Sequence, residues 1–122
     1  MRLRESGEMY LETVLLLSER VEHVRSLDVA NHLGFSKPSV SRAVGKLKSE
    51  NYINIDQQGY ITLTDKGESI ARKILEKRKV LKDLIMSWGV DEKTAAADAC
   101  KIEHVLSDEA FEAIKKNKEL NI

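Results

Sequence analysis

Apolar residues recur at helical spacing over the first part of the chain. Tyr10, Val14, Leu17 and Val21 lie four, three and four residues apart, which predicts an amphipathic helix from about Ser6 to Val24. Ser26 is placed to cap a short helix carrying Leu27, Ala30 and Leu33, closed by Gly34. Ser36 caps the next helix. Pro38 falls in its first turn, where a missing N–H costs nothing, and Val40, Ala43, Val44 and Leu47 form its apolar stripe. After Asn51 the period shortens to two. Tyr52-Ile53-Asn54-Ile55 and Tyr60-Ile61-Thr62-Leu63 alternate around Asp56-Gln57-Gln58-Gly59, the pattern of a hairpin with Gly59 in a left-handed turn position. Thr64 opens a long helix to Trp88, stopped by Gly89. Asp91 opens another to about Leu106, and Ser107, Asp108 and Glu109 open a last one.

This order describes a mainly α fold with a small β-hairpin wing. Residues 1–64 read as a winged helix-turn-helix DNA-binding domain, and residues 65–122 as a helical domain. There is no repeat, low-complexity stretch or Gly/Ser/Pro linker, so a continuous helix, not a tether, is expected between the halves. Within Asp28 to Glu50 the spacing suits a helix-turn-helix. Ala30 is small where the second helix crosses, Gly34 takes the turn, and Val40 and Ala43 lock the second helix on the first. The same spacing fits an ordinary helical hairpin with a glycine loop. The hairpin ending in Leu-Thr-x-x-Gly directly downstream favours the DNA-binding reading.

Charge changes the picture locally. The 122 residues hold 20 basic and 20 acidic side chains, which argues against a generically basic nucleic-acid binder. Yet Ser36 to Lys48 contains Lys37, Arg42, Lys46 and Lys48 and no acid. That concentration suits phosphate contacts with duplex DNA. The expected DNA-binding set is Ser36, Lys37, Pro38, Ser39, Ser41, Arg42 and Lys46. Arg42 suits the fork-shaped grip on guanine O6 and N7, whereas Lys37 and Lys46 suit phosphates. Plain solvation is the competing reading for each lysine, and for Lys48 above all. Composition, with 42% hydrophobic and 33% charged residues, fits a soluble globular protein. There is no secretory or membrane-length apolar run, and the lone Cys100 fits a reducing compartment, so a cytoplasmic protein with no membrane partner is expected.

A second chemistry lies toward the other end. Cys100, Glu103 and His104 stand at i, i+3 and i+4, which places thiolate, carboxylate and imidazole on one helix face. Such a set is part of a site for a first-row transition metal. Cys100 also fits a buried small hydrophobe, and Glu-His a surface pair. Three ligands from one helix leave positions open. Met9 and Glu12, three apart on the first helix, could complete them, although Met9 also fits plain core filler. A thioether suits Fe(II), Co(II) or Ni(II) better than Mg(II) or Ca(II).

Three stretches carry a family resemblance. Glu8-Met9-Tyr10-Leu11-Glu12, Ser36-Lys37-Pro38-Ser39-Val40-Ser41, and Cys100 to Glu109 resemble the diphtheria toxin repressor family, which includes iron-dependent repressors and manganese transport regulators. The resemblance spans essentially the whole chain and implies a homodimer that binds Fe(II) or Mn(II) and represses metal-uptake genes at a palindromic operator. It also implies that the helical half binds metal and dimerises; apolar positions of the helices from Asp91 onward are expected at the dimer contact, with Leu84, Ile85 and Trp88 available to the core or the interface. The primary site of the iron-type members is matched by Met9, Cys100, Glu103 and His104, and Glu12 matches a carboxylate of the manganese-type members. The Met-plus-Cys pair is similar to the iron branch. The short chain, without an SH3-like domain, is similar to the manganese branch.

One departure stands out. Where the family places its second metal site, this chain has Arg78, Lys82 and Ala96. Arg78 falls on the stripe Ile74, Arg78, Leu81, Ile85 and is expected to face inward. Fixed positive charge would then stand in for the second cation, pairing with Glu12 or Glu103 and leaving one ion per subunit. One alternative is that the basic pair repels divalent ions, giving a metal-independent regulator on the same fold; another is a thiol-redox-responsive regulator that senses through Cys100. No phosphate loop or nucleophile–base pair is present, so neither an enzyme nor a small organic substrate is expected.

Overall fold

The computed structural model describes residues 5–120, in two compact units that divide between Arg72 and Lys73. The first holds α1 (Glu5–Ser18), α2 (Ser26–Leu33), α3 (Lys37–Ser49), β1 (Ile53–Ile55), β2 (Ile61–Leu63) and the opening turns of α4 (Asp65–Ser87). The second holds the rest of α4 with α5 (Glu92–Ile102) and α6 (Asp108–Leu120). The expected class, mainly helical with a hairpin wing, is the class observed.

In the first unit α1 buries Tyr10, Leu11, Val14, Leu15 and Leu17. It stops at Ser18, short of the expected Val24, and Val21 is 40% exposed. The reason is tertiary. Val24 is extended and bridges to the wing, accepting a hydrogen bond from the Ile61 N–H at 2.7 Å. A strand partner outside the local window takes the segment that helical period alone would continue.

In α2 the cap is Arg25, one residue before the expected Ser26. Its backbone N–H donates to the Asp28 carboxylate at 2.8 Å, so the acid three residues on supplies the capping contact. Val29 and Ala30 are buried, while Leu27, expected on the inner face, is 47% exposed. Gly34 ends the helix at φ 71°, with its N–H on the Ala30 carbonyl. In α3 the Ser36 hydroxyl accepts the Ser39 N–H at 3.3 Å, and Val40, Val44 and Leu47 are buried. That inward stripe leaves the other face of α3 to solvent.

The wing is a two-stranded antiparallel hairpin with Ile53 opposite Leu63 and Ile55 opposite Ile61. Its turn is organised by Asp56, whose carboxylate accepts from the N–H groups of Gln58 and Tyr60, both at 2.9 Å. Thr64 ties the wing to α4. Its hydroxyl contacts the Asn51 and Tyr52 carbonyls at 2.8 and 3.0 Å and accepts the Gly67 N–H at 3.1 Å.

In the second unit Ile74, Leu81, Ala95, Ala99 and Phe111 are buried. Asp91 precedes α5 as its cap, and the Ser107 hydroxyl accepts the Ala110 N–H at 3.0 Å to open α6. Instead of continuing to Leu106, α5 ends at Ile102, with Glu103 as its cap in helical conformation. The chain must turn before the Ser107 cap, and Val105 and Leu106 close that turn by donating to the Ile102 carbonyl. Lys77, only 6% exposed, braces the turn by donating to the Leu106 carbonyl at 3.1 Å.

Candidate DNA interface and metal centre

The outward face of α3 carries the residues expected to meet DNA. Ser36, Lys37, Pro38, Ser41, Arg42 and Lys46 are exposed, as are Gly45 and Lys48. Ser39 is half-buried and receives a hydrogen bond from the Ser36 hydroxyl at 2.8 Å, which makes it part of the helix cap as well as of this surface. Acids are absent from the helix, and its basic residues follow the inward stripe by the 3.6-residue geometry. The face is therefore cationic on a neutral protein.

Sequence reading missed a neighbouring feature. His23 stacks on Tyr60 of the wing, with centroids 4.2 Å apart and planes 3° from parallel. Arg25 lies over the same ring at 4.8 Å and donates to the Tyr60 hydroxyl at 3.1 Å. These contacts brace the wing against the start of α2. Tyr60 is 35 residues from Arg25, so no local spacing announces the pair.

The second unit brings together part of the expected metal set. Glu103 is fully buried, and its Oε1 lies 3.3 Å from Nε2 of His104, whose side chain is 3% exposed. Cys100 is half-buried on the last turns of α5. Arg78 of α4 reaches this group, with Nε 3.0 Å from Glu103 Oε2, Nη2 3.1 Å from Oε1, and Nη2 3.6 Å from Cys100 Sγ. The buried carboxylate and imidazole are donors that fit a first-row divalent ion, and the half-buried Cys100 thiol is linked to them through Arg78. Glu103 and His104 lie in the turn that follows α5, not on the helix itself.

Lys82 takes a different direction and pairs with Glu92 at 2.9 Å near the surface. Ala96 is half-buried on α5 and offers no donor. In the first unit, Glu12 is 3% exposed and Met9 is half-buried on α1.

A helix-turn-helix with a cationic outer face, followed at once by a hairpin, defines a winged-helix DNA-binding regulator. Residues 2–61 match the iron dependent repressor N-terminal DNA binding domain, and residues 64–118 match the metal binding and dimerisation domain of the same repressors. The chain belongs to this family of metal-dependent transcriptional regulators. It is 38% identical over 115 residues to a helix-turn-helix-type transcriptional regulator of Methanocaldococcus jannaschii, covering 93% of this chain and 92% of the relative. It is 30% identical over 109 residues to the transcriptional regulator MntR of Lysinibacillus sphaericus, covering 89% of this chain and 78% of that one. Among solved structures, the manganese regulator SloR is similar with a TM-score of 0.82 and 28% identity, over 98% of this chain and 55% of that chain. No described helix is long and apolar enough to cross a membrane.

Proposed function

We propose that this protein is a cytoplasmic, homodimeric repressor that binds a palindromic operator when it holds one Fe(II) or Mn(II) ion per subunit, and that the genes it controls serve metal uptake. The observation that carries the metal half of this reading is the buried Glu103–His104 pair beside Cys100. A carboxylate oxygen and an imidazole nitrogen buried 3.3 Å apart are donors that a first-row divalent ion takes. Cys100, Glu103 and His104 are assigned as ligands, and Met9 and Glu12 join them on the family's pattern. Arg78, Lys82 and Ala96 take the place of the second site, which limits the load to one ion.

For DNA, Arg42 reads a base edge, with Lys37 and Lys46 on phosphates and Ser36, Pro38, Ser39 and Ser41 setting the close approach of α3. Two copies related by a two-fold axis read two half-sites, which is why a palindrome is expected. Trp88 and Val105, 71% and 70% exposed, are large apolar groups open to a partner surface. A bound ion supplies positive charge that draws its donors into one arrangement. Regulation then requires that the ligand residues bind it more tightly in the DNA-competent arrangement.

Calorimetric titration of the anaerobic protein with Fe(II), and separately with Mn(II), tests this reading. One ion per chain is expected for each. Two ions per chain would refute the substitution of the second site.

A further inference from the structure

Glu103 has no exposed surface, yet one guanidinium holds both of its oxygens. Arg78 Nε donates to Oε2 at 3.0 Å and Nη2 donates to Oε1 at 3.1 Å. The Arg78 side chain is 29% exposed against 0% for Glu103, so the charge comes in from the more open side. This two-pronged contact needs the planar fork of arginine, which a lysine ammonium cannot reproduce. The same Nη2 lies 3.6 Å from Cys100 Sγ. Arg78 therefore touches two of the three donors that the second unit supplies.

Two consequences follow for an ion at this centre. An ionised carboxylate offers about four lone-pair directions, and the guanidinium occupies one on each oxygen. Chelation by both oxygens of Glu103 is thereby disfavoured relative to ligation through one. The fixed positive charge also weakens the attraction of the site for every divalent ion. Affinity then leans more on the directional imidazole and thiolate donors, which Mn(II) uses least well among the first-row ions.

We propose that Arg78 is a specificity-determining residue of the metal centre, holding Glu103 and Cys100 so that the site selects ions that prefer nitrogen and sulfur donors over Mn(II). The proposal rests on the metal reading above and gives that site its selectivity. Lys82 has no share in it, because its ammonium is engaged by Glu92 at 2.9 Å.

The test compares the full-length wild type with Arg78→Met and Arg78→Lys, each first shown to be folded by circular dichroism. Mn(II) and Co(II) affinities are measured, and the sulfur-to-Co(II) charge-transfer band reports Cys100 ligation. Wild type is expected to show that band and to prefer Co(II). In Arg78→Met, Mn(II) affinity should rise about ten-fold or more as the opposing charge is lost and both Glu103 oxygens open, with Co(II) moving less. Arg78→Lys, which keeps a charge without the fork, should shift in the same direction by a smaller factor. An unchanged Co(II)-to-Mn(II) preference in both variants would overturn the role of Arg78 while leaving the centre intact. A wild type that takes up no Co(II) would overturn the metal reading itself.

Discussion

A Cβ on Gly67 would lie 2.0 Å from the Tyr52 carbonyl oxygen and 3.0 Å from the carbon that bears it. That neighbour is backbone, and the same Tyr52 carbonyl contacts the Thr64 hydroxyl at 3.0 Å, so it has little freedom to retreat. Gly67→Ala is therefore expected to destabilise the protein by about 3 kcal/mol, the upper part of the usual range for overpacking. Chemical denaturation would show it, and a loss under 1 kcal/mol would mean that the wing and α4 separate easily. Thr64 and Gly67 thus form one device, the hydroxyl drawing wing and helix together and the glycine letting them touch. In the second unit, Arg78 works at the same scale by fixing one buried carboxylate with two hydrogen bonds.

Between elements, α4 and α6 are tied through Asp108, which pairs with Lys73 at 2.9 Å and Lys77 at 3.2 Å. The hydrogen bond from Lys73, then that from Lys77, holds the Asp108 carboxyl below its ordinary value of 3.8. A lowered folded-state value means that the ionised form stabilises the fold. That contribution is complete above pH 3.8 and fades as the pH falls through the lower folded-state value. Asp108 is 64% exposed, so Asp108→Asn should cost no more than about 1 kcal/mol at neutral pH. Thermal melts should show that gap closing below pH 3.8. A gap of equal size at pH 3 and pH 7 would contradict the assignment.

Element order was readable because the helices from α3 onward carry their own punctuation. Ser36, Thr64, Asp91 and Ser107 all stand immediately before helices, and Gly34, Gly59 and Gly89 all take positive φ. What could not be read was decided by distant partners. Val24 leaves the helical period for Ile61, and Tyr60 gathers His23 and Arg25 from across the wing. Spacing set Cys100, Glu103 and His104 on one helix face, whereas Glu103 and His104 fall in the turn after α5. The inward course of Arg78 was visible too, from its place in the stripe of α4. That its fork takes both oxygens of Glu103 is a matter of geometry that spacing does not carry.

For the whole molecule, the neutral overall charge and the cationic face of α3 belong together. With no net positive charge to hold it on any duplex, the proposed regulator relies on the α3 surface and on what aligns two such surfaces in a dimer. The measurement that bears most directly on the account is the affinity of the full chain for a duplex selected from a random-sequence pool. It should be read by fluorescence anisotropy at fixed salt, with and without Fe(II) or Mn(II) under anaerobic conditions. Added ion is expected to tighten binding about ten-fold or more, within the usual range of allosteric coupling. His104→Ala should lose that gain, and Arg42→Ala should bind weakly in every condition. Equal affinity with and without either ion would contradict the account.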